Sequence, residues 1–290
     1  MASLLAWLDV RAKDGENGLP PRGSRPERSW DDYAKLMADD LLWLGLDWDT
    51  GWPADPSYAQ GRRTPLYEAA FAELNARGLI YPCFCSRAQR LAASAPHPGE
   101  AQTDAGCRCQ SLSAEERAGL IRRGRRPAAK LTVPDMTVIV NDGHCGLYAE
   151  TFKSGRDDFI VRRSDGIFAY QLAVSVDDAA MGITRVVRAR DLLSSAPRQK
   201  WLIETLGGTP PEYCHAPLLT ALDGRKLSKR EGDLNMEALR GRFTPEELVG
   251  RLAALAGLID RPEPVSAREL ISRFDWRKVP TETIVIPDRF

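Results

Sequence analysis

The spacing of apolar and polar residues changes several times along this chain, and each change marks an element. Leu4, Leu5 and Leu8 recur on one face, which predicts an amphipathic helix over 2–13. Residues 15–26 are rich in Gly and Pro and exclude a helix interior or a central strand. Ser29 then reads as an N-cap, with Asp31 and Asp32 in the first turn of a helix reaching about Leu44, and Gly45 reads as its C-cap. A turn is expected over 46–51, a helix over 65–76 closed by Arg77-Gly78, and an extended piece over 79–85. A polar stretch fills 87–110, and 114–123 reads as a short basic helix. Alternation over 129–163 predicts strands at 130–133, 137–140 and 159–162. The run 166–174 reads as a strand leading into a helix whose start Asp177 and Asp178 cap. A buried strand is predicted over 183–188, a helix over 191–206 closed by Gly207-Gly208, and a short buried strand over 216–222. The remainder is mostly helical, at 236–242, 245–256 and 266–274. This order implies a parallel α/β core with an insertion and a helical tail.

Composition narrows the class. The 290 residues carry 40 basic and 40 acidic side chains, a balance that argues against coating nucleic acid by bulk charge but permits a local basic face. No apolar run is long enough to span a bilayer, and Leu4-Leu5-Ala6-Trp7-Leu8 lacks the preceding basic region of a signal peptide. Six cysteines, four of them clustered, do not resemble a secreted disulfide framework, so a reducing cytoplasm is expected. Cys83-Phe84-Cys85 and Cys107-Arg108-Cys109 form two C-x-C pairs in a stretch with few apolar residues. Four soft ligands suit a tetrahedral structural Zn²⁺ that would supply folding energy there; free thiols or a redox pair are the alternative. His97 is a possible replacement ligand. Cys145 and Cys214 read as small core residues, and His144 and His215 as local hydrogen-bonders without a catalytic role.

The other concentration of chemistry is Asp223-Gly224-Arg225-Lys226-Leu227-Ser228-Lys229-Arg230-Glu231. A turn signal is followed by four cations in six residues around the Ser228 hydroxyl. Lysines on a mobile loop suit a polyphosphate whose negative charge grows during reaction. A solvated basic turn is the plainer reading.

Several blocks in order resemble one family. They are Thr64-Pro65-Leu66-Tyr67-Glu68, Tyr81-Pro82-Cys83-Phe84-Cys85-Ser86, Gly166-Ile167-Phe168-Ala169-Tyr170-Gln171-Leu172-Ala173, Gly182-Ile183-Thr184-Arg185-Val186-Val187-Arg188, Pro197-Arg198-Gln199 and Lys226-Leu227-Ser228-Lys229-Arg230. They resemble the class I glutamyl-tRNA synthetases, and among them the short glutamyl-Q tRNA(Asp) synthetase branch, over about residues 2–255. The resemblance implies a Rossmann-type parallel sheet, N-terminally incomplete, with a zinc-containing insertion and a C-terminal helical region. The expected divisions are 1–78 and 164–232 for the two parts of the nucleotide-binding domain, 79–163 for the insertion and 233–290 for the helical region. It implies ATP-dependent activation of glutamate and transfer to the queuosine base of tRNA(Asp), Mg²⁺ accompanying the ATP. Lys226, Ser228 and Lys229 would hold ATP phosphates, Lys226 and Lys229 acting in catalysis. Tyr170 and Arg188 would hold glutamate; Cys83, Cys85, Cys107 and Cys109 would hold zinc. An arginine's planar fork of donors suits a substrate carboxylate. Without the resemblance, Tyr170 reads as core-facing and Arg188 as a partner of Asp191. A cytoplasmic monomer meeting the tRNA(Asp) anticodon stem-loop is expected, with no membrane.

The chain also departs from that family. The H-x-G-H pattern and the R-I-E-D-x-D segment are missing, Asp14-Gly15-Glu16-Asn17-Gly18-Leu19-Pro20-Pro21-Arg22 running across the latter. A first strand is therefore expected to be absent, leaving a sheet with unpaired edges or exposed apolar faces. Thr103 stands where the family's zinc insert has a tyrosine, making Cys109 the natural ligand, and Ala189 replaces a glycine after Arg188. A start upstream of Met1, a decaying gene and a non-catalytic tRNA-binding relative compete as explanations. Arg122, Arg123, Arg125 and Arg126 would then contact RNA phosphates, or form a solvated helix end. A fragment of an ordinary glutamyl-tRNA synthetase is a further alternative.

Overall fold

The computed structural model describes residues 1–19, 28–85, 107–222 and 235–286. In chain order these carry α1 (Ala2–Arg11), β1 (Gly18–Leu19), α2 (Arg28–Trp43), β2 (Thr50–Gly51), α3 (Thr64–Ala76) and β3 (Ile80–Cys83). Then come α4 (Ala114–Arg122), β4 (Ala128–Leu131), β5 (Met136–Asp142), β6 (Gly146–Phe152), β7 (Phe159–Arg162), α5 (Tyr170–Ala180) and β8 (Arg185–Ala189). The last are α6 (Ala196–Thr205), β9 (Glu212–Ala216), β10 (Leu219–Thr220), α7 (Met236–Arg240), α8 (Pro245–Leu255), α9 (Ala267–Leu270) and β11 (Ile284–Val285).

Local signals explain the helix ends. Thr244 with Glu247 and Ser113 with Glu116 form capping boxes that open α8 and α4, each contributing about 1 kcal/mol. Gly45, at φ +74°, stops α2 where any Cβ would be strained.

Parallel pairing occurs between β8 and β9, β1 and β2, and β10 and β11, while β3-β4-β7 and the β5–β6 hairpin are antiparallel. Among the described residues β8 and β9 have no third strand. On β9 an exposed apolar face does not follow, because Tyr213, Cys214, His215 and Ala216 are all buried. Tyr213 sits with Val140, Val186 and Ala196, and Ala216 joins the large cluster below.

That cluster explains what covers the sheet. Leu4, Leu5, Trp7 and Leu8 of α1 pack with Leu239, Leu248, Val249, Leu252 and Leu270. Burial of each such side chain contributes roughly 1.5–3 kcal/mol. A second cluster joins Tyr67 and Leu74 of α3 to Leu131, Phe152, Val161, Leu172 and Leu202.

Three sequence expectations need correction. Residues 166–174 are not a strand: Phe168 makes only an isolated bridge to Arg162, and α5 begins at Tyr170. Asp177 and Asp178 do not cap that helix but lie buried in its C-terminal half. Asp177 instead accepts hydrogen bonds from Arg63 Nε (2.6 Å), Gln60 Nε2 (2.9 Å) and the Tyr67 hydroxyl (2.9 Å), tying α5 to the start of α3. The buried strand expected over 216–222 is two strands, β9 and β10, on either side of Pro217, which has no N–H for a ladder. Leu222 is 60% exposed.

Candidate functional site

The four cysteines converge. Cys83 ends β3, with Cys85 two residues on, and Cys107 and Cys109 sit at the start of a 3₁₀ turn over Arg108–Ser111. Their Sγ atoms all lie within 4.8 Å of one another, with Cys83–Cys107 at 3.6 Å, Cys85–Cys107 at 3.5 Å and Cys85–Cys109 at 3.6 Å. A tetrahedral zinc with bonds of about 2.3 Å sets sulfurs about 3.8 Å apart, so the donors fit the ion. All six cysteines are free thiols. Burial, followed by repulsion from Cys107 and Cys109, pushes the Cys83 thiol up to about 11 despite a backbone donor at Cys85. Burial also pushes Cys85 well up. A divalent cation removes both penalties by taking the sulfurs as thiolates. Phe84 N–H donates to Cys109 Sγ at 3.3 Å, supporting negative charge on that sulfur. Arg125 binds the Phe84 carbonyl, which brings the exposed Arg122, Arg123, Arg125 and Arg126 stretch beside the cluster. His97 and Thr103 lie outside the described residues.

Arg188, near the C-terminal end of β8, is 9% exposed. Its Nε–H donates to His215 Nε2 at 3.0 Å, one terminal nitrogen to Gln199 Oε1 at 2.6 Å and the other to the Leu192 carbonyl at 3.2 Å. The guanidinium also lies 5.1 Å from the Tyr213 ring centroid. Gln199 in turn donates to Gln171 Oε1 at 2.9 Å, and Gln171 donates to the Ser195 hydroxyl at 3.0 Å. Tyr170, beside Gln171 at the first residue of α5, is 40% exposed and not core-facing. The network therefore runs from Arg188 to Gln171, the residue that follows Tyr170 in α5.

His215, read in the sequence as a local hydrogen-bonder, has a wider set of bonds. Its Nδ1 meets Asp142 Oδ2 at 2.5 Å, and both side chains are fully buried. Asp142, at the end of β5, accepts three backbone N–H groups as well, from Cys145 (2.8 Å), His144 (3.1 Å) and His215 (3.1 Å). Burial works to raise this carboxyl, but the bond from His215 and the three amides outweigh it and hold it at about 2. Sequence reasoning missed Asp142 and the reach of His215. The one signal was an ionisable residue at the end of each of two apolar strands.

Of the other site residues, Lys226, Ser228 and Lys229 lie outside the described residues. The flanking chain is defined: β10 pairs with β11 through Leu219–Ile284 and Thr220–Val285, and α7 follows after Asn235, whose side chain caps it. Among the described residues no helix is long and apolar enough to cross a membrane.

The chain is 44% identical over 294 residues to a glutamyl-Q tRNA(Asp) synthetase of Symbiobacterium thermophilum, a match covering 98% of this chain and 90% of that protein. It is 41% identical over 292 residues to one of Nitratidesulfovibrio vulgaris, covering 99% and 90%. The fold is similar to a crystal structure of a glutamate tRNA ligase from Elizabethkingia meningosepticum in complex with its amino acid, at TM-score 0.75 and 22% identity. That match covers 99% of this chain but 64% of the solved one. The catalytic-domain model of tRNA synthetases class I (E and Q) matches residues 2–286, and the chain belongs to that family of ligases.

Proposed function

We propose that the protein activates glutamate with ATP and transfers it to the queuosine base of tRNA(Asp). A carboxylate oxygen of glutamate attacks the α-phosphate, forming glutamyl-adenylate and releasing pyrophosphate. A queuosine hydroxyl then attacks the acyl carbon, and AMP leaves. The observation that carries this reading is the 44% and 41% identity, along nearly the whole chain, to relatives named for that substrate.

The proposed roles follow the chemistry of each group. Arg188 holds a glutamate carboxylate, with Tyr170 orienting the same ligand. Lys226, Ser228 and Lys229 hold the ATP phosphates with Mg²⁺, and Lys226 and Lys229 offset the charge that grows on the leaving pyrophosphate. Positioning provides much of the remaining rate. The four cysteines hold a structural zinc, which would fix the segment around β3 and present the adjacent arginines to the anticodon stem-loop. The proposed divisions are 1–78, 79–163, 164–232 and 233–290. Free thiols throughout suit a cytoplasmic protein, here taken as a monomer.

The test is ATP–pyrophosphate exchange dependent on glutamate, without tRNA, followed by transfer to tRNA(Asp). Lys229→Ala should abolish exchange and leave metal content unchanged. Exchange at background in the unaltered chain with tRNA binding intact would instead identify a non-catalytic tRNA-binding relative. Charging of tRNA(Glu) would identify an ordinary glutamyl-tRNA synthetase.

A further inference from the structure

We infer that Asp142 and His215 are positioning residues for substrate carboxylate recognition, acting through Arg188. The inference rests on the reading of Arg188 as the glutamate clamp.

The hydrogen-bond directions are forced. An arginine Nε–H can only donate, so His215 Nε2, at 3.0 Å from it, must be the unprotonated acceptor. The imidazole proton then sits on Nδ1 and is donated to Asp142 at 2.5 Å. Asp142 therefore selects the tautomer that receives Arg188, as a carboxylate behind a histidine does when it orients a ligating or catalytic imidazole.

Rotation of the guanidinium is blocked on several sides. His215 fixes Nε, Gln199 and the Leu192 carbonyl fix the two terminal nitrogens, and Tyr213 lies against the plane. Asp142 is itself immobilised by three backbone amides, and the His215 carbonyl is held by His144 Nδ1 at 2.8 Å and Cys145 Sγ at 3.5 Å. A guanidinium held this way has little rotational freedom left to lose when a substrate carboxylate is recognised.

The experiment measures equilibrium binding of labelled L-glutamate and, separately, of ATP to the full chain. His215→Asn keeps an amide near Nδ1 for Asp142 but withdraws the acceptor from Arg188. His215→Gln places an amide oxygen near the Nε2 position. Glutamate affinity should fall on the order of tenfold in His215→Asn. It should recover in His215→Gln, with ATP affinity unchanged in both. Asp142→Asn should weaken glutamate binding in the same direction, and serves if His215→Asn does not fold. In an Arg188→Gln background the His215 change should add nothing, the sign of action through one group. Equal losses in His215→Asn and His215→Gln, accompanied by loss of ATP binding, would make the pair merely structural and overturn the inference. Unaltered glutamate binding in the His215 and Asp142 variants beside a loss in Arg188→Gln would overturn it too, while leaving the function reading intact. No loss in Arg188→Gln would overturn the clamp reading and the inference with it.

Discussion

Asp9 on α1 and Arg185 on β8 form a two-point ion pair across 176 residues of chain, with Arg185 Nε at 2.6 Å and a terminal nitrogen at 3.3 Å from the carboxylate. The carboxylate is 2% exposed and also accepts Trp276 Nε1 at 2.7 Å and Lys13 at 2.9 Å. One side chain thus joins the first helix, the strand that carries Arg188 and the C-terminal segment. Removing it leaves a partly buried guanidinium and an indole N–H without this acceptor, although Glu212 still pairs with Arg185. Asp9→Ala should lower unfolding free energy by about 1–3 kcal/mol. Denaturant titration measures this, and an Arg185→Ala change in the same background should cost clearly less than it does alone.

The cysteine cluster predicts a metal-dependent local structure. Purified protein should contain zinc by elemental analysis. Cys107→Ser should lower that content, as should a strong chelator. Either should lower the thermal midpoint, since the stretch from Cys107 to Leu120 has only a small satellite core with Tyr81 and Phe84. Zinc binding should also release protons from the thiols, more at low pH than at high, which calorimetry in buffers of different ionisation enthalpy detects. Zinc-free protein with an unchanged midpoint would contradict this.

The features legible in the sequence are those with local causes. The helices over Thr64–Ala76 and Pro245–Leu255 follow from proline at the first turn and from apolar spacing, and the cysteine site from two C-x-C pairs. The start of α5 was not legible, because a short continuous apolar run fits a strand and a buried helix equally. Nor was the fate of Asp177, whose partners are 110 to 117 residues distant. β11 escaped because two residues become a strand only by pairing with β10. Arg188 is read as a glutamate contact from its neighbours in sequence, but Gln199, His215 and Asp142 reach its network only through the β8–β9 pairing and the end of β5.

Gly250 offers a test of helix packing. A Cβ there would stand 1.8 Å from the Glu263 carbonyl oxygen and 2.8 Å from its carbon, both backbone atoms that cannot swing aside. The returning chain is also bonded to α8 through Val265 N–H and the Glu246 carbonyl at 3.1 Å. Gly250→Ala should therefore destabilise by about 1–3 kcal/mol despite alanine's better helix propensity. Gly61→Ala, where nothing lies within 4 Å of the added carbon, serves as the control and should change stability little. Chemical denaturation of both variants decides the matter.

Acid should act on the sheet through Asp142. Its carboxyl is held at about 2 in the folded chain, against about 3.9 when unfolded. The unfolded state therefore binds the extra proton first, and the stabilisation that the ionised group contributes is fully present above about pH 4. It declines as pH falls from there and is gone once the folded group protonates near 2. Asp142→Asn has no charge to titrate, so the stability difference between the two proteins should be constant above about pH 4 and shrink from there towards pH 2. The variant should be the less stable at neutral pH because His215 and three amides lose an ionised acceptor. Urea midpoints measured across that window give the difference directly. A gap of constant size would mean that the carboxylate titrates alike in both states, and that its four donors bind it no more strongly than water does.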